Sequence, residues 1–117
     1  MDVRREIVYP AEPSEIWDAL TDPTRLEDWF ATEVELDPVP GGHGTFRWGN
    51  GEERHALVEE VDEERRLALR WEDDGGEVVF TIEPAPEGTR LVVVESSPEW
   101  TTALELRALA ATACATA

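Results

Sequence analysis

Lysine is absent from this chain, and all ten of its basic residues are arginine. Cysteine occurs once, at Cys114, so no disulfide can form within the chain, and a reducing compartment, the cytoplasm, is the expected setting. Histidine occurs twice, at His43 and His55, with no cysteine or histidine spacing that suggests zinc, so neither a metal nor a cofactor is expected. No apolar run approaches a membrane span, and the opening MDVRREIVYP holds no apolar stretch of the secretory kind. Basic residues are scarce beside 27 acids, giving a net charge of −17. That balance excludes a general basic surface for nucleic-acid phosphates and disfavours anionic membranes. It fits either a GC-rich coding bias or adaptation to high salt. Self-repulsion of this size weakens a fold at low ionic strength, so the melting temperature is expected to rise from low to moderate NaCl; a flat or falling trend would contradict this.

What the chain does have is enough apolar material, 41% of 117 residues, for a single domain over 1–117 with one core. Pro13–Phe30, PSEIWDALTDPTRLEDWF, reads as two short helices. Pro13 suits a first helical position, where its missing N–H costs nothing. Ile16, Trp17 and Leu20 mark one apolar face. Thr21-Asp22-Pro23 ends that helix and starts another, with Asp22 as N-cap. Leu26, Trp29 and Phe30 form the second apolar face. Helices this short do not stand alone in water, so they must cover something.

The remainder supplies a sheet to cover. Asp2–Tyr9, Thr32–Pro38, Gly44–Trp48, Glu53–Val61, Arg66–Glu72, Glu77–Glu83 and Thr89–Glu95 read as strands separated by Gly, Pro, Asp and Asn turns. In the first, Val3, Ile7 and Tyr9 share a face. In the fourth the alternation blurs, and a bulge near Glu59-Glu60 would bring both Val58 and Val61 inside. Ser97-Pro98 then starts a final helix running to about Cys114. The order of one strand, two short helices, six strands and one long helix predicts an α+β fold. Its antiparallel sheet of about seven strands curls around a long C-terminal helix laid across the concave face.

This arrangement resembles the START-like helix-grip superfamily (SRPBCC), and more narrowly its branch related to the activator of Hsp90 ATPase. The resemblance rests on Ile16-Trp17-Asp18-Ala19-Leu20-Thr21-Asp22-Pro23, Leu26 with Trp29-Phe30, Pro40-Gly41-Gly42 leading to Phe46, Val58-Glu59-Glu60-Val61, Arg66-Leu67 with Trp71, and Gly88-Thr89-Arg90-Leu91. It covers Met1 to about Glu95. The chain departs from the pattern at Glu95, where many relatives carry a histidine, and in its short connection into the final helix. The resemblance implies a hydrophobic cavity between sheet and long helix that holds small apolar or amphipathic molecules. Some superfamily members are polyketide cyclases, and the eukaryotic Hsp90 stimulators use this domain beside a second one, which is not expected in this chain.

The candidate ligand-binding residues are Trp29, Phe30, Trp48, His55, Trp71, Phe80, Glu95, Trp100 and Leu104. Aromatic walls with few polar groups suit a small hydrophobic ligand, although core packing explains each tryptophan at least as well. Glu95 shares parity with Leu91 and Val93; if it points inward it needs a partner, and Arg107, Arg47 or Arg70 are the candidates. His55 is a candidate acid, base or donor if it faces the cavity. No catalytic residue is assigned. The expected function is non-catalytic binding of a small hydrophobic or amphipathic molecule. The alternatives are a protein-interaction or chaperone-regulator module, with a homodimer as a candidate assembly, and a cyclase- or hydrolase-like enzyme using His55, Glu95 or both.

Overall fold

In the computed structural model, which describes residues 3–73 and 75–96, the chain opens with strand β1 (Val3–Tyr9) and then helices α1 (Pro13–Thr21) and α2 (Pro23–Trp29). Six strands follow: β2 (Glu33–Leu36), β3 (His43–Arg47), β4 (Glu53–Asp62), β5 (Arg66–Trp71), β6 (Glu77–Ala85) and β7 (Gly88–Glu95). They form one curved, seven-stranded antiparallel sheet in the order β1-β7-β6-β5-β4-β3-β2, as the α+β reading expects. The expected long helix, with Trp100, Leu104, Arg107 and Cys114, lies outside the described residues.

Both helices start as their sequence dictates. Pro13 and Pro23 occupy first-turn positions, and the Asp22 side chain accepts the Thr24 N–H at 3.0 Å. Asp22 also closes α1, its N–H reaching the Asp18 carbonyl at 2.9 Å. The apolar face of α1, Ile16, Trp17, Ala19 and Leu20, and that of α2, Leu26 and Trp29, are buried against the sheet.

The inner face of the sheet follows period two. Tyr9, Phe46, Val58, Leu67, Trp71, Phe80, Leu91 and Val93 point inward and are buried. The blurred fourth strand does contain a bulge: the β4–β5 register shifts between Val58 and Glu60, so Val58 and the half-buried Val61 both pack against the core. At the β1 end, Thr89 donates its hydroxyl to the Ala11 carbonyl at 2.7 Å. Gly88, at φ +143°, lies so close to β1 that a Cβ there would sit 2.1 Å from the Tyr9 carbonyl oxygen, so only glycine fits.

Candidate functional site

Phe30, the C-cap residue of α2, is the centre of the aromatic group that the sequence marked out. Its N–H bonds the Leu26 carbonyl at 2.8 Å, which ends the helix and turns the ring toward the sheet. That ring lies 5.5 Å from Trp29, 5.3 Å from Phe46, 5.3 Å from Trp48 and 6.5 Å from Trp71, centroid to centroid. Phe46 and Trp71 meet edge-on at 5.5 Å. These separations and tilts are those at which aromatic rings attract beyond simple burial.

An apolar cavity lies beneath this group. Leu20, Leu26, Trp29 and Phe30 line it from the helical side, and Phe46, Leu69, Trp71, Val78 and Phe80 from the sheet. Its volume is about 20 Å³, close to what one water molecule needs. Four of the expected site residues, Trp29, Phe30, Trp71 and Phe80, therefore come together at one void. Trp48 stands behind them: its indole donates to the Phe30 carbonyl at 2.8 Å and supports the cover without lining the cavity. The Trp29 indole is committed likewise, to the Ala19 carbonyl at 2.7 Å. With the Glu27 carboxylate accepting the Val34 N–H at 3.0 Å, three side-chain-to-backbone hydrogen bonds fasten the α2 cover.

His55 is not at this cavity. It shares the outer face of β4 with Leu57, while Ala56 and Val58 take the inner face. Its Nδ1 lies 3.5 Å from Asp73 and its Nε2 3.5 Å from Glu53, and its backbone N–H is accepted by Asp73 at 2.8 Å. The condition for a cavity role of His55, that it face inward, is not met, because burying Ala56 and Val58 forces the intervening parity outward. His43, at the start of β3, is exposed and pairs with Glu72 at 3.1 Å. Among the described residues no group of three or more histidine, cysteine or carboxylate side chains is placed to hold a metal ion.

Glu95 does point inward and is 1% exposed. Among the described residues it meets Arg5 on β1, which is not among the expected partners and whose Nη2 donates to Glu95 Oε2 at 3.1 Å; Arg107 lies outside the described residues. Arg47 and Arg70, offered as partners, are on the outer face instead. Arg70 reaches Glu59 at 2.9 Å and Glu77 at 2.7 Å, and Arg47 bonds Glu53. Those hydrogen bonds push both guanidiniums above their ordinary value, so they stay charged at any working pH. The signal for Arg5 was present, since it shares parity with Val3, Ile7 and Tyr9. Because Glu95 and His55 lie on opposite faces of the sheet, they cannot act on one substrate together.

The chain and its fold resemble known proteins. The family model described as activator of Hsp90 ATPase homolog 1-like protein matches residues 10–115. The chain belongs to this family. Its span begins after β1, so Glu95 lies inside the match and Arg5 outside it. Among solved structures, a protein from Mesorhizobium loti is similar at 24% identity and TM-score 0.76, with 99% of this chain and 88% of that one covered. The Aha1 dimer from Colwellia psychrerythraea gives 21% identity and TM-score 0.76 over 99% and 89%. DynU16, from the dynemicin biosynthetic locus, gives 27% identity and TM-score 0.80 over 93% of this chain and 45% of its own. No curated protein matches. Membership of the Hsp90-activator-homolog family is consistent, in general terms, with a ligand-binding or regulator-type module. Among the described residues no helix is long and apolar enough to cross a membrane.

Proposed function

We propose that this family member is a single domain over 1–117 that binds a small hydrophobic or amphipathic molecule in the cytoplasm without transforming it. The observation that carries this reading is the cavity under α2, with its apolar and aromatic walls and its half-buried Phe30 cover. Ordinary ligand pockets enclose about 300–1,000 Å³. On this reading the void of about 20 Å³ is the unliganded, closed form, and binding moves Phe30 and α2 outward. Trp29, Trp71 and Phe80 are the wall a ligand meets, and Trp48 steadies the cover. Trp100 and Leu104, outside the described residues, belong to this proposal on sequence alone.

Native mass spectrometry of freshly purified protein, under gentle and then denaturing conditions, tests the reading. The expected result is extra mass that disappears on denaturation. A bare monomer that also takes up no added naphthalene would overturn it. A bare dimer would favour a second reading, a protein-interaction or chaperone-regulator module. The near-filled cavity and the dimeric Colwellia relative both support that alternative.

A further inference from the structure

A second hollow, of about 760 Å³, is a groove where the first turn of α1 meets the β4–β5 turn and the end of β6. It shares no lining residue with the cavity under α2. Its apolar lining is Pro13, Ile82 and Pro84. The Arg65 carbonyl accepts the Ile82 N–H at 2.7 Å, which ties this lining to the turn. Asp62, Glu63, Glu64 and Glu83 bring four carboxylates to the groove, against the two arginines Arg65 and Arg66. Among the described residues Asp62, Glu63 and Glu64 form no ion pair, whereas Arg66 is already held by Glu60 at 2.7 Å. The field in the groove is therefore negative. One of these acids is kept at a conformational cost: Glu64 has φ +63°, in the left-handed region where glycine or asparagine is the ordinary choice. The turn's own hydrogen bond, from the Arg65 N–H to the Asp62 carbonyl at 2.9 Å, is made by backbone alone, so folding does not call for a carboxylate there.

We infer that this groove is a docking site for an extended segment of a partner protein that carries arginine or lysine between apolar residues. It goes beyond the ligand-binding reading and does not depend on it, since neither site uses the other's residues. Charge complementarity sets the sign of the partner. An acidic segment would meet four carboxylates in a chain at −17, and a neutral one would gain nothing from them. Exposed ion pairs are worth little by themselves, so the apolar lining has to contribute and the partner needs both kinds of side chain. The groove lies open at the surface, with Asp62, Glu63, Glu64 and Pro84 exposed. A small molecule there would keep much of its surface in water, whereas ligand pockets enclose most of it. An extended peptide needs no such enclosure, because it runs on past the groove at either end.

Three peptides of one length, blocked at both ends, test this by backbone-amide NMR titration: LRLRL, its uncharged twin LQLQL and its polar twin SRSRS. All are read at physiological salt, which screens charges more than about 8 Å away. The expected result is saturable shifts centred on residues 62–66 and 81–83 with LRLRL. Each twin should bind about tenfold more weakly, the order of one hydrogen bond to a charged group or one buried leucine. Glu64→Gly removes the acid and relieves the turn, so a loss of affinity in this variant cannot come from unfolding. It should weaken LRLRL severalfold and leave the protein at least as stable. Glu33→Gln/Glu35→Gln removes two charges from edge strand β2, outside the groove, and should leave the affinity for LRLRL unchanged. Equal binding of LRLRL and SRSRS, a loss in the β2 variant as large as that in Glu64→Gly, an affinity that Glu64→Gly does not move, or shifts spread over the whole surface would each overturn the docking site and leave the cavity under α2 untouched. No binding of LRLRL would overturn it too, and is what a groove held by residues 97–117 or by a second copy would give.

Discussion

On the outer face of the sheet, Arg66 meets Glu60 at 2.7 Å with the two side chains 43% and 50% exposed; on the inner face, Arg5 meets Glu95 at 3.1 Å with the carboxylate 2% exposed. The chemistry is the same and the outer contact is the shorter. Water decides their worth. On the outer face each ion keeps most of its hydration, so losing the partner matters little. On the inner face an acid that loses its arginine has little water to fall back on. Surface pairs such as Arg90–Glu83 and Arg4–Glu6 solubilise the outer face, whereas Arg5–Glu95 ties β1 to β7 on the inner face.

Four substitutions probe that contrast. Phe46→Ala should cost most, about 4 kcal/mol in urea unfolding, because a fully buried ring leaves a hole that its neighbours fill only partly. A loss under about 2 kcal/mol would mean that the aromatic end of the inner face is loosely packed. Arg5→Met comes next, at about 3 kcal/mol. That is the low end for breaking a buried pair, since the Arg5 side of the contact is open enough for water to reach. Asp22→Ala removes the α2 cap and should cost about 1 kcal/mol, loosening the cover and not the sheet. Glu60→Ala, on the outer face, should cost under about 1 kcal/mol. If the Arg5 and Glu60 substitutions cost the same, the two faces do not differ as argued.

Much of this was legible in the residues. Pro13, Asp22 and Pro23 announced both helix starts because capping chemistry is local. The β4 bulge showed as a slip in alternation at Glu59-Glu60. The site was harder to read. The sequence leaves the side of His55 open because the parity of a bulged strand is ambiguous until Ala56 and Val58 are known to be buried together. Trp48 was read as a cavity wall, but its indole N–H found the Phe30 carbonyl, a contact fixed by tertiary geometry. Arg5 went unnoticed as the partner of Glu95 because the two lie 90 residues apart and meet only through the β1–β7 register. Long-range pairing of this kind leaves no local trace beyond parity.

If the protein binds a small molecule as proposed, the inner face opens under α2 to admit it. The most direct test is a two-dimensional NMR titration of the aromatic side-chain signals with 2-naphthol. The expected result is saturable shifts confined to Trp29, Phe30, Phe46, Trp71 and Phe80, with the outer-face signals of His43 and His55 unmoved. Shifts scattered over the outer face, or no shifts at the solubility limit of the probe, would contradict it.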